Sequence, residues 1–239
     1  SMLNQLLHST TFFRNIKALF YIIVIFGLSF LLKKNYYPFL AAVVIVLAVD
    51  WLELTDREAR IRFFKRFLFI AVSALSVLVV HKAVDLAVFG KDKQERILEA
   101  ASKRAKPMFN LTSPVEKRFE FLTMKQRGVT FKRMVNHYRW FEKTFRSSFG
   151  VYGHFTISGS FPYYDFVRYI SVSFLLFLCF SVFLKAPWLH KGEMLAMLMM
   201  SLALIGVSFH MSWTSDFQAQ GRYLFPIVMM LALTVARNR

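Results

Sequence analysis

Ionisable side chains within or bordering long apolar runs are costly to keep there, so each is a candidate for chemistry. Four groups stand out in this 239-residue chain. His81, Lys82 and Asp85 lie toward the end of one apolar run, and Asp165 and Arg168 open another. His210 and Asp216 close a third run, and Arg222 opens a fourth within Gln220-Gly221-Arg222-Tyr223-Leu224-Phe225-Pro226. A carboxylate or an imidazole can act as a general base, which makes Asp85, Asp165, Asp216 and His81 the candidate catalytic residues. Arg222, Arg168 and Lys82 are cations suited to a phosphate or carboxylate, with Gln220 and Tyr223 flanking Arg222 as further ligand-binding candidates. Each assignment has a plainer alternative. Lys82 with Asp85, and Asp165 with Arg168, are three residues apart on a helix and can pair with one another. Arg222 can snorkel to lipid headgroups. Gly221, just before Arg222, can take a positive φ that a residue with a Cβ resists.

These groups are positioned by apolar helices. The sequence is 56% hydrophobic and 17% aromatic, with a mean hydropathy of +0.43. Several runs approach the ~20 residues a membrane-spanning helix needs. The expected fold is all-α: a polytopic membrane helical bundle of about six transmembrane helices, near 16–32, 39–52, 67–89, 164–184, 194–213 and 222–236, forming a single membrane domain over 1–239. The polar section 90–163 reads as a mostly helical insertion between the third and fourth spans. The net charge of +17 would suggest nucleic acid in a soluble chain. Here anionic headgroups and positively charged cytoplasmic loops explain it, and no nucleic-acid motif is present. Cys179 is the one cysteine and sits within an apolar run, so no disulfide, metal site or cofactor is expected. No cleavable signal pattern is read near the first residues.

Lysine and arginine in short loops set orientation. With the first segment cytoplasmic, one side collects Arg14, Lys17, Arg57, Arg60, Arg62, Lys65, Arg66, Lys185, Lys191, Arg237 and Arg239, eleven in all. The other side's short loops hold three, Lys33, Lys34 and Arg222. Both termini are therefore expected in the cytoplasm, and 90–163 on the outer face together with Arg222.

Within that outer section, helices are predicted over 91–106, over 114–125 with Ser113 as N-cap, and over 131–149. The last places Phe131, Met134, Val135, Tyr138, Phe141, Phe145 and Phe149 on one face. A basic stripe of Lys132, Arg133, Arg139, Lys143 and Arg146 runs beside it. That pattern describes a helix lying in the membrane interface, with Arg133, Arg139, Lys143 and Arg146 toward lipid, and is compatible with the aromatic face packing on the bundle. The glycines of 150–159 allow a phosphate-cradling nest, although a plain re-entry loop fits the pattern better.

Two stretches carry a resemblance. Gln220-Gly221-Arg222-Tyr223-Leu224-Phe225-Pro226, followed by an apolar helix, resembles the C-terminal motif of a bacterial multipass membrane family of unknown function related to the GT-C glycosyltransferases. Phe145-Arg146-Ser147-Ser148-Phe149-Gly150 resembles that family's aromatic FRSFxG stretch before a transmembrane helix. The two cover under a tenth of the chain. The resemblance implies the bacterial inner membrane and polysaccharide or glycolipid assembly, with polyprenyl-phosphate-linked sugar handled at the outer face. There is a departure: such enzymes place a catalytic carboxylate in their first outer loop, which here is Lys33-Lys34-Asn35-Tyr36-Tyr37 and holds no acid. The chain is then either the C-terminal part of a longer enzyme or a non-catalytic relative.

Two function classes follow. One is an enzyme, or part of one, acting on lipid-linked sugar. The other is an accessory or scaffold that binds anionic lipid or an anionic envelope polymer through the basic outer helix, alone or with a partner membrane subunit. A transporter fits less well, because paired broken helices in inverted repeats are missing.

Overall fold

The computed structural model describes residues 7, 16–29, 37–106, 110, 113–114, 122–151, 158–215, 217 and 219–237, and among them every regular element is helical. In chain order these are α1 (Ile16–Ser29), α2 (Tyr37–Glu53), α3 (Arg57–Phe89), α4 (Lys93–Arg104), α5 (Phe131–Asn136), α6 (Trp140–Ser148), α7 (Phe161–Lys185) and α8 (Trp188–Thr214). A 3-10 turn (Gly221–Leu224) then leads into α9 (Phe225–Arg237). The predicted helix over 114–125 falls largely outside the described residues, and Met124–Gly128 is a turn.

Among the described residues three helices are long and apolar enough to cross a membrane: α3, α7 and α8. Their surfaces agree with a lipid surround, since Phe177 on α7 is 67% exposed and Phe166, Phe174 and Phe180 are similarly bare. Contiguous aromatic surface of that kind is rarely left facing water. The other expected spans are shorter. α9 has 13 residues, about 20 Å at 1.5 Å per residue, against a hydrocarbon thickness of ~30 Å.

The chain divides into two compact units, Ser1–Lys93 and Gln94–Arg239. In the first, α1 and α2 pack on α3 around Leu19, Ile22, Leu47, Phe63 and Ile70. A Cβ on Gly27 would lie 2.6 Å from Val77 Cγ2, so α1 and α3 meet there at backbone distance. The helix of the third span begins ten residues before its expected start at 67, within the charged stretch from Arg57 to Arg66. Asp56 caps it by accepting from the N–H groups of Glu58 (3.2 Å) and Ala59 (2.9 Å), so α3 starts at Arg57 and runs unbroken for 33 residues. This cap satisfies donors that a helix start otherwise leaves open.

In the second unit α7, α8 and α9 stand together, with α5, α6 and the 3-10 turn set at one end. The single helix predicted over 131–149 is two helices. They break at Arg139, whose φ of 53° and ψ of 46° are left-handed. The physical reason lies in Met134 and Trp140. Six residues apart on a straight helix, at ~100° per residue, they would point ~120° apart. The break turns both inward, leaving Met134 fully buried and Trp140 1% exposed in one cluster with Met124, Val129 and Ala219. A left-handed non-glycine residue costs roughly 1–2 kcal/mol, and burial of an indole outweighs that.

Candidate functional site

The two stretches singled out in the sequence, 145–150 and 220–226, lie against each other. Gly221 N–H donates to Ser147 Oγ at 2.7 Å, and the Ser147 hydroxyl also lies 3.1 Å from Ala219 O and 2.9 Å from Thr144 O. A Cβ on Gly221 would sit 1.6 Å from Ser148 Oγ and 2.5 Å from Thr144 O. Among the described residues the positive-φ glycines are Gly90, Gly128 and Gly150, and Gly221 is not one of them. The positive φ that a glycine permits is therefore not what this position uses: the residue is glycine so that two backbones can touch.

Aromatic contacts hold α5 and α6 on the end of α8. Phe131 packs 4.5 Å from Trp213 and 5.5 Å from Phe209, and Phe141 stacks on Phe209 at 5.8 Å between ring centres. Trp213 Nε1–H donates to Val129 O at 2.7 Å, and Lys125 N–H donates to Trp213 O at 3.0 Å. Tyrosines clamp the start of α7 to the end of α6. Tyr163 O–H donates to Phe149 O at 3.1 Å and Tyr164 O–H to Gly150 O at 3.2 Å, while Gly159 N–H donates to Tyr164 Oη at 2.8 Å. The aromatic face of 131–149 is thus largely packing surface, and Lys132, Arg133, Arg139 and Lys143 are the exposed basic residues of the stripe.

This framework encloses a groove of about 880 Å³ between α6, α7, the 3-10 turn and α9. One side is apolar, formed by Val172, Ile205, Leu224, Phe225, Ile227 and Val228. The other presents Arg139, Glu142, Thr144, Arg146, Asp165 and Arg168. Arg146 is the central cation. Its guanidinium carbon lies 4.7 Å from the ring centres of both Phe161 and Tyr164, a double cation–π contact. Its Nη1 is 3.5 Å from Glu142 Oε1, and its side chain is 21% exposed. Arg139 also pairs with Glu142, and Arg168 pairs with Asp165 at 2.7 Å.

Three residues of the groove's lining, Trp140, Thr144 and Arg146, each carry a buried polar atom without a hydrogen-bond partner among the described residues: Nε1, Oγ1 and Nε respectively. An unmet buried polar group costs about 1–3 kcal/mol, so each is a point that a ligand or ordered water could complete. Two of the three are N–H donors and the third is a hydroxyl, which suits an anion.

The remaining sequence candidates are distributed as follows. Asp165 and Arg168 line the groove. Arg222 is exposed, its guanidinium 5.4 Å from the ring of its neighbour Tyr223, and neither lines the groove. His81, Lys82 and Asp85 belong to the other unit. There Asp85 pairs with Lys93 at 2.5 Å rather than with Lys82. Asp216 lies outside the described residues. Sequence reading gave Arg146 only an interfacial role and passed over Trp140, Thr144 and Glu142. The resemblance of 145–150 was the signal that could have raised Arg146.

A second buried cluster escaped sequence reading altogether. At the opposite end of the same helices, Glu193 has a fully buried side chain, with its Oε2 3.6 Å from Arg237 Nε and 3.7 Å from His190 Nδ1. It ties the first turns of α8 to the last of α9. A scan against protein-family models matches no family, and searches of curated proteins and of solved structures return no match.

Proposed function

We propose that this protein is an integral membrane protein of bacterial cell-envelope polysaccharide or glycolipid assembly, and that its groove holds the phosphate of a polyprenyl-phosphate-linked sugar. The observation that carries the reading is the meeting of unsatisfied donors around Arg146 with a wall of apolar side chains from α7 to α9. A lipid phosphate has both complements: an anion for Arg146 and Arg168, and a chain for the apolar wall. Six spans, cytoplasmic termini and an outer location for 90–163 complete the proposal, supported by the eleven-to-three bias of basic residues in the short loops. Arg222, outside the groove, is assigned a charge role at its rim.

The non-catalytic form of this reading is favoured by one feature. Both carboxylates of the groove are engaged, Glu142 by Arg139 and Arg146, and Asp165 by Arg168. A carboxylate whose oxygens are held by an arginine must be released before it can reach a substrate proton. The site as it stands is built to bind.

The test is binding of farnesyl phosphate to the full chain in detergent, measured by native mass spectrometry. Hydrogen bonds to charged groups contribute about 1.5–3 kcal/mol, so Arg146→Ala is expected to weaken binding about 10- to 150-fold. Arg146→Lys should recover only part of that, because lysine lacks the planar fork. Arg222→Lys should bind like the parent. Equal binding by the parent and Arg146→Ala would refute the assignment.

A further inference from the structure

No residue of α4 is buried. An isolated helix shorter than about 12–15 residues is marginal in water, and helices in proteins are held mostly by packing of an apolar face. α4 has such a face. At ~100° per residue Ile97, Leu98 and Ala101 fall on one arc, and Ile97 and Leu98 are 49% and 60% exposed. Glu99 and Lys103 pair with each other on the opposite side. The chain leading into α4 comes from a helix long and apolar enough to cross a membrane, α3. Its apolar side chains stay bare to the last turn, Val88 and Phe89 included. Gly90, at φ 76° and ψ 175°, then ends the helix. Lys93, the first residue of α4, reaches back, its Nζ 2.5 Å from Asp85 Oδ1 and 4.5 Å from the centre of the Phe89 ring. Eight residues along a straight helix would be about 12 Å apart, so the chain turns where the apolar surface of α3 stops.

We propose that α4 is an interfacial helix, lying on the anionic lipid surface of the leaflet in which α3 ends. Ile97, Leu98 and Ala101 face the acyl chains, while Arg104 at the edge of that arc and Lys91 and Lys106 at its two ends meet headgroups. Two observations select the bilayer as the occupant of this face. The bare apolar surface of α3 runs to Phe89, four residues before α4 begins. Residues 91–106 also hold six basic side chains against three acidic, an excess that complements anionic headgroups. The interfacial role expected of 131–149 thus passes to a different helix, since the aromatic face there packs on Phe209 and Trp213 of α8. The assignment is independent of what the groove binds.

The test places nitroxide labels on single cysteines in a Cys179→Ala background. The full chain is reconstituted into bilayers of phosphatidylcholine with phosphatidylglycerol, and each variant is checked for helicity. Depth is read from collisions with oxygen, which concentrates among acyl chains, against those with a water-soluble nickel chelate. Labels at Ile97→Cys, Leu98→Cys and Ala101→Cys should be reached by oxygen, ~5–10 Å below the headgroup boundary. Labels at Arg96→Cys, Glu99→Cys and Lys103→Cys should be reached by nickel. Adding Leu98→Glu should bring the Ala101→Cys label out to nickel, and phosphatidylcholine alone should do so in part. Nickel access at all six positions would place α4 in water and overturn the proposal. Protection of the three apolar positions from both reagents would mean that protein covers the face, from this chain or a second copy, and overturns it equally. Depths unchanged in phosphatidylcholine alone would overturn the preference for anionic lipid.

Discussion

Gly221→Ala is the sharpest perturbation the structure offers, because it adds one methyl group where there is no room. The new Cβ would meet Ser148 Oγ at 1.6 Å and the Thr144 carbonyl at 2.5 Å. A serine hydroxyl can rotate away. A backbone carbonyl inside α6 cannot, so the 3-10 turn must retreat from the helix. Overpacking of this kind costs about 1–3 kcal/mol. Retreat also lengthens the 2.7 Å bond from Gly221 N–H to Ser147, worth about 1 kcal/mol net. A total of about 2–4 kcal/mol is expected. In a protein of this size each kcal/mol corresponds to about 2–4 °C in Tm, so the variant should melt roughly 4–16 °C lower.

Thermal unfolding of the full chain in detergent, followed by circular dichroism, measures this directly. The double variant Gly221→Ala/Ser148→Gly separates the two contacts: it removes the hydroxyl clash and leaves the carbonyl one. Recovery should be partial, and the cycle should show coupling of at least about 0.5 kcal/mol between the positions. A Gly221→Ala protein within 0.5 kcal/mol of the parent would refute the close-approach account of this glycine.

Two further predictions follow from other parts of the chain. Arg237→Met removes the guanidinium that lies 3.6 Å from the buried Glu193 carboxylate; removing one partner of a buried pair costs about 3–5 kcal/mol, whereas Glu193→Gln with Arg237→Met together should recover a measurable part, and an Arg237→Met protein as stable as the parent would show this ion pair to be energetically idle. For orientation, a cysteine at Ser102, placed in a Cys179→Ala background, should react with an impermeant maleimide added outside intact cells and one at Ala59 should not; the reverse pattern would invert the proposed topology.

The apolar helices were legible because hydropathy over some twenty residues does not depend on neighbours. α7 and α8 extend three and six residues beyond their predicted starts, where a proline in the first turn of α7 and His190-Lys191-Gly192-Glu193 in α8 hide the onset. The break at Arg139 was not legible. The 131–149 pattern is continuous on paper, and only the tertiary demand to bury both Met134 and Trp140 splits it. At the site, sequence rules rank an arginine by its place in a span, and so they favoured Arg222. What gives Arg146 its place is the aromatic pair Phe161 and Tyr164, which comes from a different helix. Glu193 was missed because it sits beside Lys191 in what reads as a loop edge, and its partner Arg237 lies at the far end of another helix.

The junction between the two motifs also sets an order of assembly. Gly221 and Ser147 are 74 positions apart in the chain, and α7 and α8 lie between them. During synthesis α6 therefore leaves the ribosome well before the turn that covers it. Its indole, hydroxyl and guanidinium groups must wait at the membrane surface while a two-helix hairpin inserts. Closing so long a loop is entropically disfavoured until the hairpin brings its ends together. The groove is consequently a late product of biogenesis, and nascent chains stalled before Gly221 should present α6 without its lid, a form open to surveillance proteases that the finished protein escapes.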